Sequence, residues 1–74
     1  MELVTIGISD NTDGIHDCPK IMDDLDADNG PVYVQGVQII DAEPLAQSKP
    51  GAGEVLCAVP RETFLRAARR MLGE

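Results

Sequence analysis

Residues 31–40 read PVYVQGVQII and form the longest β-prone run in the sequence. The dipeptide before the run, Asn29-Gly30, favours a hairpin turn because both residue types tolerate positive φ. Strict alternation holds until Gly36, which shifts the parity, and a β-bulge at Gly36 restores it. The run therefore predicts one strand with a buried and an outer face. The buried face comprises Val32, Val34, Val37 and Ile39, and the outer face comprises Tyr33, Gln35 and Gln38.

The size and composition of the chain predict one small domain with an aliphatic core. The 74 residues include one Phe, one Tyr and no Trp. A chain of this length buries only about 60–65% of its unfolded surface, so its stability is marginal. Homodimerisation is one way to supply the missing burial.

The net charge of −7 is unevenly distributed along the chain. Residues 1–59 hold 11 acidic and 2 basic side chains, a net of −9, while residues 60–74 hold 4 Arg and 2 Glu, a net of +2. An acidic body repels phosphate, which argues against direct binding of nucleic acid. The sequence shows no signal peptide and no apolar run long enough for a membrane span. We therefore expect a cytoplasmic protein in which Cys18 and Cys57 are free thiols.

The pattern along the chain predicts an α+β fold. We expect a first strand over residues 3–9, a polar loop, and a short strand from Lys20 to about Leu25. Asp41 begins one helical turn, and residues 54–60, apolar on both faces, read as a central strand. Pro60 opens a final amphipathic helix, which Gly73 ends. The predicted fold is a small antiparallel sheet of three or four strands with this C-terminal helix packed across one face.

The final helix has a clear division between apolar and charged side chains. Glu62 and Arg66 form an i,i+4 pair in the favourable order, and the Arg residues of the last turn suit the helix dipole. The apolar stripe consists of Phe64, Ala68, Met71 and Leu72, with Leu65 beside it.

Two acidic segments contain the residue types that bind metals. The first comprises Asp10, Asp13, His16, Asp17 and Cys18. A structural zinc site needs four ligands, and no second Cys/His pair lies at useful spacing, so a polar loop is the better interpretation. The second is residues 24–30, DLDADNG, in which a calcium loop lacks Gly at its sixth position and Glu at its twelfth. We predict no metal and no cofactor.

The sequence does not predict an enzyme. His16 is the simplest general base, and Cys18 is the nucleophile nearest to it. The neighbouring carboxylates disfavour a thiolate, however, and the chain is too short to form a deep pocket. The alternating Gly51 and Gly53 lack the Lys-Ser/Thr ending of a phosphate-binding loop.

A resemblance to known proteins rests on five segments: Cys18-Pro19, the acidic turn at residues 28–30, VYVQG at 32–36, DAEPLA at 41–46 and GEVLCAVPR at 53–61. In these segments the chain resembles a group of small uncharacterised actinomycete proteins. It is more loosely similar to the BldB-like proteins that accompany helix-turn-helix regulators. The Arg-Asp-Ser and Trp of the BldB-like pattern are absent here. The second resemblance implies a regulatory role through a protein partner.

These observations lead to two functional hypotheses of different classes. The first is a non-catalytic interaction module that modulates a protein partner, with a DNA-binding helix-turn-helix regulator as the partner class that the resemblance implies. The alternative is an acidic inhibitor of phage or defence type that acts as a nucleic-acid decoy. The expected partner-binding residues are Tyr33, Gln35 and Gln38 on the outer strand face and Asp24, Asp26 and Asp28 at the hairpin tip.

Overall fold

The computed structural model describes residues 1–8 and 19–74, and it confirms an α+β fold. Three strands form an antiparallel sheet in the order β1-β2-β3, and two short strands, β4 and β5, form a second sheet. A short helix, α1, lies between β4 and β5, and a longer helix, α2, follows β5. The elements are β1 (Leu3–Ile8), β2 (Lys20–Asp24), β3 (Tyr33–Gln35), β4 (Val37–Gln38), α1 (Ala42–Ser48), β5 (Cys57–Ala58) and α2 (Arg61–Met71).

The bulge of this fold lies in β1 and not at Gly36. The register between β1 and β2 shifts between Thr5 and Gly7, so that Ile6 is the extra residue. The bulge brings both Ile6 and Gly7 opposite Ile21, on the face that α2 covers. The simple alternation expected for this strand therefore fails beyond Thr5.

Helix α2 packs on β1 and β2 through small residues. Thr63 and Ala67 are fully buried, and they lie directly over Gly7. A Cβ atom at Gly7 would overlap the Thr63 carbonyl oxygen and would lie 2.7 Å from the Cβ of Ala67. Glycine at this position thus permits a close approach of helix and strand. The buried apolar core consists of Ile6, Ile21 and Ala67, with Val4 packed against it.

The run at residues 31–40 is divided between the two sheets at Gly36. Its first part is β3, which pairs with β2, and its second part is β4, which pairs with β5. A Cβ atom at Gly36 would lie 2.5 Å from the Ala58 carbonyl oxygen, so the backbone of Gly36 lies close against β5. The predicted single strand with a bulge is therefore wrong, because the run changes its pairing partner at Gly36 from β2 to β5.

The predicted buried face of the run is also wrong. Val32, Val34 and Val37 are exposed, and only Ile39 is half-buried. Alternation within β3 is as expected, because Val34 pairs with the buried Ile21 on the helix side of the sheet. Helix α2 packs mainly on β1 and much less on β2, and it makes no substantial contact with β3, so Val34 stays exposed.

The second sheet is smaller than the sequence predicts. Residues 54–60 contribute only the two-residue strand β5, which pairs with β4 alone. This segment is thus not a central strand, and Val55 within it is exposed. Helix α1 begins after Asp41 as expected and has no buried residue.

The connection between β2 and β3 is an eight-residue loop, residues 25–32. Asn29-Gly30 belongs to this loop and does not form a two-residue hairpin turn. The chain turns instead at Leu25 and Asp26, where the Ala27 amide donates a hydrogen bond to the Asp24 carbonyl oxygen at 3.2 Å. The hairpin is therefore correct, but its turn is not the predicted one. None of the helices in the described ranges is long and apolar enough to cross a membrane.

Candidate functional site

Tyr33 and Gln35 lie on the face of the three-stranded sheet that points away from α2. The register places Tyr33 beside Met22 and Thr5 in one cross-strand row. It places Gln35 beside Lys20 and Ile8 in the next row. All six side chains are half-buried. We call this surface the outer sheet face, and it consists of Thr5, Ile8, Lys20, Met22, Tyr33 and Gln35.

Gln38 does not share this face with Tyr33 and Gln35. It belongs to β4, in the second sheet, where it pairs with Cys57. The separation at Gly36 thus removes one of the three residues that were expected to act together. The structure brings together two of the three predicted strand residues and adds Met22, an apolar neighbour that the sequence pattern did not reveal.

The carboxylates of the hairpin tip have structural roles. The Asp24 carboxylate accepts hydrogen bonds from the Glu2 amide at 3.1 Å and from the Asp26 amide at 3.0 Å. The Asp26 carboxylate lies 3.1 Å from the amino group of Met1. Asp24 therefore shapes the turn and ties the start of β1 to it. Asp28 lies further along the loop, at the edge of a surface depression.

The apolar stripe of α2 does not face the sheet. Phe64 is 59% exposed and Leu72 is 73% exposed, whereas Thr63 and Ala67 are fully buried. At 3.6 residues per turn, the stripe is centred about 120° around the helix from the buried pair. Its residues are Phe64, Leu65, Ala68, Met71 and Leu72, and we refer to this set as the α2 stripe.

The stripe points away from the sheet because of the close approach at Gly7. A helix that lies against the backbone of β1 has room only for small side chains at the contact. The larger apolar residues lie further around the helix. Arg66 lies on the other side of the buried pair from the α2 stripe. Its guanidinium donates a hydrogen bond to the Ile8 carbonyl oxygen at 3.0 Å and pairs with Glu62 at 2.6 Å.

A depression with a mixed polar and apolar lining lies between the end of α2 and the hairpin loop. Its volume is about 470 Å³, and it is open to solvent. Its apolar lining comes from Val4, Ile6, Leu25, Val32 and Met71, with Asp23, Asp28, Gly30 and Arg70 completing it. The depression therefore adjoins the stripe at Met71. A second depression of about 390 Å³ lies at the other end of the helix, beside Phe64 and Arg61.

The metal-ligating residue types give no site in the part of the chain that the structure describes. Within residues 1–8 and 19–74, no three His, Cys, Asp or Glu side chains cluster closely enough to hold an ion. Cys57 is a free thiol and is half-buried. The candidate zinc segment, with Asp10, His16 and Cys18, lies outside the described residues.

The stripe residues were predicted from the sequence as one apolar set, but they were expected to lie against the sheet. The signal for the true arrangement was the set of small residues Gly7, Thr63 and Ala67, which mark a close contact between strand and helix. Hydrophobic periodicity alone ranks Phe64 and Leu72 above Thr63 as core residues. The pairing of small residues across two distant elements was needed to correct this ranking.

Comparison of the chain with models of protein families, with curated proteins and with solved structures yields no match.

Proposed function

We propose that this protein is a non-catalytic interaction module that modulates a protein partner. The observation that carries the proposal is the amount of apolar surface that the fold leaves uncovered. Three apolar residues are buried in the described part of the chain, whereas twelve large apolar side chains are exposed. Contiguous exposed apolar side chains, such as Phe64, Leu65, Met71 and Leu72 on α2, mark sites of protein–protein contact.

The proposed binding site for the partner is the outer sheet face. Its side chains are half-buried and are not among those twelve, so this choice rests on Tyr33 and its neighbours and not on the exposed apolar area. Tyr33 offers an amphipathic ring of the kind that is enriched at interfaces, and Met22 beside it adds an adaptable apolar contact. The surrounding charge of the body, −9 over residues 1–59, favours a partner with a basic rim. A DNA-binding regulator of the helix-turn-helix class has this property, and it is the partner class that the resemblance implies.

The alternative, an acidic decoy of nucleic acid, is less well supported by the geometry. A decoy presents free carboxylates at phosphate-like spacing, but the Asp24 carboxylate already accepts two backbone hydrogen bonds. The Asp26 carboxylate pairs with the Met1 amino group, although both groups are more than half exposed and the pair is weak. The carboxylates of the tip therefore stabilise the turn, and we propose that their charge raises the rate of association with the partner.

The test is affinity purification from the native host with mass spectrometry, followed by binding kinetics on the protein recovered. Tyr33→Ala is expected to raise the dissociation rate about tenfold or more, because it truncates a central aromatic anchor. Gln38→Ala is the matched control, since Gln38 lies in the second sheet and is expected to leave the kinetics unchanged.

Salt dependence separates the two functional classes. In the interaction module, replacement of Asp26 and Asp28 by Asn lowers the association rate and flattens its salt dependence, and dissociation stays the same. Asp24 is kept, because it holds the turn. A recovered partner that loses all affinity in the Asp variant and none in Tyr33→Ala would instead establish the decoy.

A further inference from the structure

The α2 stripe has no assigned role in the site described above, and it is the most apolar exposed surface of α2. We propose that a second copy of this chain covers it, with the two α2 helices packed antiparallel about Ala68. The inference rests on the proposed function only in that the protein acts through protein contacts. It assigns the stripe to self-association and leaves the outer sheet face to the other partner.

The stripe is complementary to itself. Ala68 lies at its centre, with Phe64 four residues before it and Leu72 four residues after it. An antiparallel pair with a two-fold axis at Ala68 therefore sets Phe64 of each copy against Leu72 of the other. The small side chain of Ala68 lets the two helices approach closely at their crossing point. The same symmetry sets Leu65 against Met71.

Charge selects the antiparallel orientation. In a parallel pair, Arg61, which lies on the stripe side of α2, would face its own counterpart. In an antiparallel pair, Arg61 lies beside the end of the other helix, near Glu74 and the acidic loop that contains Asp28.

The area of the contact reaches the range of specific dimers. The four large side chains of the stripe have exposed fractions of 41–73%. With about 200 Å² for a large side chain, they expose roughly 450 Å² per copy. The adjoining Val32 and Leu25, at 39% and 58%, add about 150–200 Å² more. With all of this surface covered, the sum for two copies is at most about 1,200 Å², which is the lower bound for a specific interface.

A second copy is also the occupant that best fits the size of the core. The contact of α2 with its own sheet buries three apolar residues, Ile6, Ile21 and Ala67, so the core of the single chain is small. A partner that always covers the α2 stripe must be present whenever the chain is present, and another copy of the same chain meets this condition.

The test is sedimentation equilibrium of the full chain, together with cysteine cross-linking. A dimer has twice the 7.9 kDa mass of the chain. Phe64→Glu is expected to weaken dimerisation at least tenfold, because it places a charge in the apolar contact. Its side chain is already exposed in the single chain, so the circular dichroism spectrum should be retained. Ile40→Glu is the matched control, since Ile40 is 81% exposed and is not part of the α2 stripe.

Cross-linking fixes the orientation. In a background with Cys18→Ser and Cys57→Ser, Ala68→Cys should form a disulfide between copies, because residue 68 meets its own counterpart at the axis. Leu65→Cys should not, because it meets Met71. Disulfide formation by both variants would overturn the antiparallel arrangement, and a 7.9 kDa species at all concentrations would overturn the dimer. Neither result affects the proposed function, which depends on Tyr33.

Discussion

The contact between Gly7 and helix α2 makes the most direct prediction about stability. Gly7→Ala adds one Cβ atom, which would lie 2.7 Å from the Ala67 Cβ and 2.8 Å from the Ala67 backbone nitrogen, and would overlap the Thr63 carbonyl oxygen. Two of the three atoms belong to the helix backbone, so no side chain can rotate away. Carbon atoms prefer separations of about 3.5–4.0 Å, and α2 must therefore move by about 1 Å.

The loss of stability depends on which residues the movement of α2 disturbs. Ile6, Ile21 and Ala67 are the buried apolar residues of the described chain, and all three lie at this contact. Overpacking of a core typically costs about 1–3 kcal/mol, and we expect the upper half of that range. A 74-residue chain has a free energy of unfolding of about 4–11 kcal/mol. A loss of 2–3 kcal/mol lowers its melting temperature by roughly 10–20 °C.

The assay is urea and thermal unfolding followed by far-ultraviolet circular dichroism, at equal protein concentrations because a dimer unfolds in a concentration-dependent way. Gly30→Ala is the control: its Cβ would meet only the Ala27 Cβ, at 3.3 Å, and its φ is not positive. We expect it to change stability by less than about 0.5 kcal/mol. If Gly7→Ala unfolds at the same urea concentration as Gly30→Ala, then the close packing of α2 on β1 is refuted.

Three further predictions follow from single residues and from metal content. Thr63→Val should raise stability by about 1 kcal/mol, because the buried Thr63 hydroxyl has no hydrogen-bond partner in the described part of the chain; a lower urea midpoint would show that the hydroxyl is paired. Gly36→Val should destabilise by about 1–3 kcal/mol, since its Cβ would lie 2.5 Å from the Ala58 carbonyl oxygen. Here the reason is the close approach and not a positive φ, and an unchanged melting curve would contradict it. A metal-free preparation should keep its circular dichroism spectrum and melting temperature; a strong rise in melting temperature with micromolar zinc or calcium would contradict this.

The positions of β1, α1 and α2 in the chain could be predicted from the sequence alone. Alternation predicted β1, Pro60 and Gly73 marked the ends of α2, and Asp41 preceded α1 as expected. These features depend on residues that are close together in the chain, such as caps, breakers and short periodic patterns. The fold class follows from their order, and for this reason an α+β arrangement with a C-terminal helix was predictable.

Which face of α2 is buried, and where the two sheets separate, became clear only from the tertiary structure. The stripe around Phe64 has the stronger periodicity, yet Thr63 and Ala67 contact the sheet, because the backbone of Gly7 lies directly beneath them. Gly36 likewise separates two sheets through a contact with Ala58, a residue more than twenty positions away. Burial depends on such contacts between distant segments, and hydrophobic pattern within one segment does not contain them.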